Sequence, residues 1–325
     1  MTAPRTPIHI PHPERFTWDF WYHFDAGKEL FHLLFLNADR ALAPQNLHHF
    51  SSRVGYAVTE DFTSIDWIDD DVFEADDAGW DNTSIWTGDV VVAGGGYLLF
   101  YTSRDGRVGD TLTQNVGAAF SVDFRNWERV TGFRLEPDER FYEPKSIIGD
   151  GSIHAWRDPF LFVWDNEAYM VIAAKDISHP LGRKGAVGIL RCRDRNLTEW
   201  EALPPLYSPG GYCQVEVPQV VLDEKERPSI VYSMPPESDH VPTTSEVGGF
   251  HRVAVSFSHT DENYASTPPE VLLPHTDSPY ACRIIPELDG LIVGFHLTEG
   301  GFVNTGISTG LAGPNRNFEG YTFGQ

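Results

Sequence analysis

Three recurrences in the 325-residue sequence predict an all-β chain. Short apolar strands come in hairpin pairs, and a carboxylate stands ahead of the first strand in four of them. Each of the first three pairs is followed by another strand, an acidic turn and a tryptophan. Repetition at a coarse period of about 60–70 residues marks stacked or radial repeats. Four strands per repeat fit propeller blades. A fifth hairpin pair lacks the carboxylate, so the sequence predicts a five-bladed β-propeller of four-stranded antiparallel blades.

Residues 1–14 are proline-rich and read as a loosely held arm. Blade one is expected over roughly residues 16–71. Trp18-Asp19 precedes the strand Phe20-Trp21-Tyr22-His23-Phe24, and residues 30–36 form its partner. Residues 54–59, then Asp61-Phe62 and Trp67, supply the outer half. The connection 37–52 carries the pair His48-His49 and is long enough to overhang the axis; the pair reads as loop polarity rather than a metal site. The acidic run Asp69-Asp70-Asp71 with Asp76-Asp77 reads as a solvated loop in preference to a calcium site.

Blade two is expected over residues 84–130. Trp86-Thr87-Gly88-Asp89 heads Val90-Val91-Val92, and Gly94-Gly95-Gly96 makes the hairpin turn. No helix follows these glycines, so they are not a phosphate loop. Blade three spans 152–202 and opens on Arg157-Asp158-Pro159. Proline cannot donate to a ladder, so Pro159 belongs at a strand's beginning or edge. Asp165-Asn166 marks the turn before residues 169–174. Blade four, 212–259, has Gln214-Val215-Glu216 ahead of Val217-Pro218-Gln219-Val220-Val221, and a polar connection at 235–249. Blade five, 279–310, contains Tyr280-Ala281-Cys282-Arg283-Ile284-Ile285 and Leu291-Ile292-Val293-Gly294-Phe295. The tail from Pro314 is expected to close the ring against the N-terminal segment. A C-terminal β-sandwich after blade five is not expected.

Composition narrows the function. Hydrophobic residues at 41% and aromatics at 13% suffice for a core. A net charge of −23 argues against nucleic acid or an anionic membrane as partner and suits a small neutral substrate. Cys192, Cys213 and Cys282 lack metal-ligand spacing and read as reduced. No stretch approaches the ~20 apolar residues of a membrane span. The proline-rich start lacks the apolar core of a secretory signal, so a cytoplasmic location is expected. Nucleotide, flavin, zinc-peptidase and serine-hydrolase motifs are missing, and no cofactor or metal is assigned.

The first strand of each propeller blade lines the central channel, so Asp19, Asp89, Asp158 and Glu216 are aimed at one axial pocket. Paired carboxylates there suit glycoside cleavage. One faces the anomeric carbon, and a protonated one donates to the leaving oxygen. Asp19 is expected ionised, and Glu216 held neutral by neighbouring charge and burial. Trp18, Trp21 and Trp86 offer flat faces to a sugar, and Asp89 or Gln214 can fix its hydroxyls.

These motifs resemble those of the five-bladed β-propeller glycoside hydrolases of families 32 and 68, which act on β-fructofuranosides. Trp18-Asp19-Phe20-Trp21 looks like the tryptophan-flanked nucleophile motif of family 68. Trp86-Thr87-Gly88 resembles the Trp-Ser-Gly sugar-binding motif. Arg157-Asp158-Pro159 matches the Arg-Asp-Pro motif, and Glu216 falls at the acid/base position. The resemblance implies a retaining glycosidase with a small carbohydrate substrate. Asp19 would be its nucleophile, Glu216 its acid/base and Asp158 the transition-state stabiliser, with Arg157 beside them at the sugar. Family 32 surrounds its nucleophile with Asn-Asp-Pro-Asn-Gly, which this chain lacks. Glu216-Val217-Pro218 also departs from the Glu-Cys-Pro and Glu-Arg-Pro of the two families. The particular glycoside, and hydrolysis against transfer, therefore stay open. Two alternatives remain. One is an inverting family-43-type arabinosidase or xylosidase, with Asp19 as base and Asp158 as pKa modulator. The other is a sugar-binding propeller without turnover.

Overall fold

The computed structural model describes residues 6–107, 112–145, 153–235, 249–257, 268–274 and 279–322. It forms five antiparallel sheets of four strands each, arranged as a β-propeller. Blade one holds β2 (Arg15–Asp25), β3 (Leu30–Asp39), β4 (Arg53–Thr59) and β5 (Asp66–Phe73). Blade two holds β6 (Ile85–Ala93), β7 (Gly96–Arg104), β8 (Gln114–Ser121) and β9 (Glu128–Arg129). Blade three holds β10 (Trp156–Trp164), β11 (Glu167–Lys175), β12 (Gly185–Cys192) and β13 (Trp200–Tyr207). Blade four holds β14 (Glu216–Leu222), β15 (Pro228–Met234), β16 (Gly249–Ala254) and β17 (Glu270–Leu273). Blade five is built from β18 (Tyr280–Ile285), β19 (Leu291–Phe295), β20 (Phe302–Ser308) and, outermost, β1 (Ile8–Ile10). The polar connection expected at 235–249 lies almost wholly outside the described residues.

Local chemistry sets the hairpins. Gly94 and Gly95 both take positive φ between β6 and β7, and Asp165 and Asn166 do so between β10 and β11. This is the geometry that the right-handed strand twist favours in tight hairpins. Between the third and fourth strands of blades one to three, Phe62, Phe124 and Leu197 adopt the left-handed conformation. The indoles of Trp127 and Trp200 each donate to the carbonyl three residues back, at 3.0 and 2.9 Å. The five apolar clusters lie between blades. Both faces of a blade are therefore buried, which is why the inner strands read as continuous apolar runs.

Three expectations change. The N-terminal arm is a strand: Ile8 pairs with Asn304, His9 with Val303 and Ile10 with Phe302. A three-residue strand between prolines carries too little pattern to register as one. Among the described residues, the tail runs to other blades instead of that arm. Ala312 bridges to Leu222 of blade four and Asn315 to Val163 of blade three, and Phe318 and Tyr321 pack into the core between blades two and three. The run at Asp69 is an outer strand, with Asp70 paired to His12 and Arg15 and Asp71 to Arg53. Among the described residues, helix is confined to short 3₁₀ turns such as Arg40–Gln45 and Leu47–Phe50. No helix there is long and apolar enough to cross a membrane.

Candidate active site

Each inner strand breaks register near its head. The shifts fall between Thr17 and Phe20, Trp86 and Gly88, Arg157 and Phe160, Glu216 and Gln219, and Tyr280 and Arg283. These are β-bulges, which re-aim side chains away from regular pleating. Glu216 immediately precedes its bulge, Asp158 is the first bulged residue, and Asp19 the second. The three acids thus use three different positions of one repeated kink. Asp158, Val217 and Ala281 occupy the equivalent place in blades three, four and five, and all three have positive φ.

The bulges bring Asp19, Asp158 and Glu216 to one cavity of about 810 Å³. Trp18, Trp86 and Arg157 also line it. Asp19 accepts a bond from the Thr87 hydroxyl. Asp158 accepts from the Val217 amide at 3.0 Å, and its own amide donates to Thr102 Oγ1 at 3.1 Å. Arg157 donates to Glu216 Oε1 at 2.9 Å, to the His154 carbonyl at 3.0 Å, to Gln114 Oε1 at 3.3 Å and to Gln214 Oε1. The Tyr280 hydroxyl donates to Glu216 Oε2.

Burial, and next the charge of Asp158, push the Asp19 carboxyl up to about 7 against the opposing Thr87 bond. Asp158 is pushed up to about 6 by burial, with the Arg157 guanidinium opposing. Asp19, expected to be ionised, is therefore largely protonated below about pH 7 in the free site.

Three expected site residues lie elsewhere. Trp21 is fully buried in the core between blades one and two, and its indole nitrogen has no hydrogen-bond partner among the described residues. Asp89 lies past its bulge in regular ladder; it accepts from the Leu161 amide at 2.7 Å and from Arg316 at 2.8 Å, tying blades two and three to the tail. Gln214 is not on the wall, and its amide oxygen holds Arg157.

Sequence reasoning missed other groups. Tyr280 stands where Arg157 and Glu216 stand in the two preceding blades. Arg283 is buried and donates to the Phe20 carbonyl at 2.5 Å, holding the strand behind Asp19. An arginine inside an otherwise apolar inner strand was the available signal. The 3₁₀ turns over residues 40–50 roof the cavity, so the overhang is real, and His48 and His49 line it. Burial pushes His48 down to about 3 and His49 to about 4, so both rings are neutral. His48 packs edge-on against Trp18 at 4.9 Å, and the Trp86 indole donates to the His49 carbonyl at 2.8 Å. No cluster of three or more His, Cys, Asp or Glu able to hold a metal occurs among the described residues.

Fold and site define a five-bladed propeller that gathers three carboxylates from three blades at its axis. The family model described as glycosyl hydrolases family 32 N-terminal domain matches residues 28–265, and the chain belongs to this family. Asp158 and Glu216 fall within that span, and Asp19 lies ahead of it. An extracellular sucrase of Zymomonas mobilis is 24% identical over 272 residues, 70% of this chain. The chain spans 61% of the length of that relative. Among solved structures, the inulosucrase of Halalkalicoccus jeotgali bound to kestose superposes with a TM-score of 0.69 at 21% identity, covering 91% of this chain and 80% of that one. The β-fructofuranosidase catalytic domain of Microbacterium saccharophilum gives 0.63 at 17% identity, covering 96% and 83%.

Proposed function

We propose that the protein is a glycosidase that cleaves a β-fructofuranoside, such as sucrose or a fructo-oligosaccharide, by retaining double displacement. The convergence of Asp19, Asp158 and Glu216 from three blades on one cavity carries this reading. Membership of family 32 and the sucrase relative support the substrate class. Ionised Asp19 attacks the anomeric carbon while Glu216 gives its proton to the leaving oxygen. Glu216 then takes a proton from water, which attacks the fructosyl–Asp19 ester and restores both acids. Asp158, fixed by the Val217 amide, faces the charge that develops on the ring. Arg157 and Tyr280 hold both oxygens of Glu216 and set its direction.

The test is incubation with sucrose, fructo-oligosaccharides, arabinosides and xylosides. Fructose release from the first two is expected; release of arabinose or xylose instead would overturn the assignment. Glu216→Ala should lose about 10²–10⁴-fold in turnover of substrates with poor leaving groups. With an activated β-fructofuranoside and azide, it should form the β-fructosyl azide, since two displacements retain configuration. An α-azide product would show a single displacement. The matched relative is extracellular by name; cell fractionation tests the cytoplasmic placement.

A further inference from the structure

The cavity is larger than one sugar ring, because volumes near 810 Å³ accommodate a drug-sized molecule. A fructosyl ring seated on the carboxylates leaves the outer part for whatever the bond joins it to. That outer part is dressed differently from the floor. Each blade sends it an apolar side chain: Phe50 from the roof of blade one, Leu112 ahead of β8, Ile153 ahead of β10, Pro235 after β15 and Leu297 after β19. The Arg104 guanidinium lies between the Phe50 and Trp86 rings, at 4.8 and 4.5 Å from their centroids. Its flat face is spent on aromatic stacking and its Nη2 on the His49 carbonyl and Ser84 hydroxyl. Among the described residues, the exposed polar exceptions on this wall are Asn46 and Thr298.

A second sugar carries hydroxyls around its edge, and each loses a water partner on entering such a ring. Aromatic faces alone serve a sugar as well as a hydrocarbon, but leucine, isoleucine and proline supply no edge donors. We propose that the leaving-group side of this site takes an apolar aglycone, so that β-fructofuranosides of alkyl or aryl alcohols are substrates. The proposal rests on the fructofuranosidase reading and extends it from the glycosyl half of the substrate to the other half.

The test is a series of methyl, propyl and hexyl β-D-fructofuranosides, whose leaving alcohols differ little in acidity. KM should fall about two- to fourfold per buried methylene while kcat stays level. Phe50→Ser and, separately, Leu297→Ser should flatten this dependence on chain length. Titration calorimetry of the same series reads binding without turnover. Affinity that rises with chain length without cleavage of any member overturns the proposal that these fructosides are substrates, and fructose release from sucrose in the same assay keeps the fructofuranosidase reading standing. Cleavage of all members with flat KM and flat affinity overturns the aglycone proposal and leaves that reading standing. Tighter binding of sucrose than of the hexyl fructoside also overturns it.

Discussion

Asp19 sets the pH at which the site can work. Its carboxyl is pushed up to about 7, first by burial and then by Asp158, whereas an unfolded chain ionises it near 3.9. kcat/KM, which reports the free enzyme, should therefore fall as pH drops below about 7. Asp158 titrates nearby, so the limb belongs to the pair. The same shift makes a stability prediction. Below pH ~4 the carboxyl is protonated in both states; above about 7 the folded state must hold a buried charge. Stability contributed by this group is thus full at low pH and lost as pH rises through about 7. Asp19→Asn should stabilise the fold by about 1–2 kcal/mol at pH 8, raising Tm there, and leave it unchanged at pH 4. Thermal melts at the two pH values check this; equal effects at both would remove the charge from the explanation. The positions of the three acids were legible because recognisable neighbours flank each one. Trp21 and Asp89 were not placed correctly. A bulge ahead of each shifts the face that later residues present, and alternation carries no warning of it.

The repeated bulge is the element on which the site depends. Pro159 and Pro218 hint at two of the five, since neither can donate to a ladder. The others carry no such sign, so four carboxylates that look equivalent in sequence occupy different places in the kink. Gly88 closes the bulge of blade two, and a Cβ there would stand 2.3 Å from the Phe100 carbonyl oxygen on the paired strand. Backbone cannot yield as a side-chain tip can. Gly88→Ala should force β6 from β7, cost about 1–3 kcal/mol and draw Thr87 away from Asp19. The expected result is a lower Tm with a reduced kcat. A fully stable variant with normal kinetics would show that the strands separate without disturbing the bulge. Strand identity was easier to read than strand boundaries: β3, β7, β11 and β15 announce themselves as apolar runs, while β9 and β1 are too short to do so.

At the scale of the whole ring, β1 joins the chain's beginning to its last blade strand. Deleting residues 1–10 should lower Tm and leave the β20 edge open to pairing with another molecule. Differential scanning and size-exclusion chromatography check both effects; an unchanged melt would mean blade five stands on three strands. The closure also has a consequence in time. β1 is made before the rest of the propeller, and its partner residues 302–304, at the start of β20, come after every other strand. Blades one to three, with contacts close in sequence, can assemble as they emerge from the ribosome. Through that interval the earliest segment has nothing to pair with, and the loop it must finally close spans nearly the entire chain. Long loops close slowly because their ends seldom meet. Blade five can be completed only once residues 302–308 have been made, and until then Ile10, which packs against the core between blades five and one, stays uncovered.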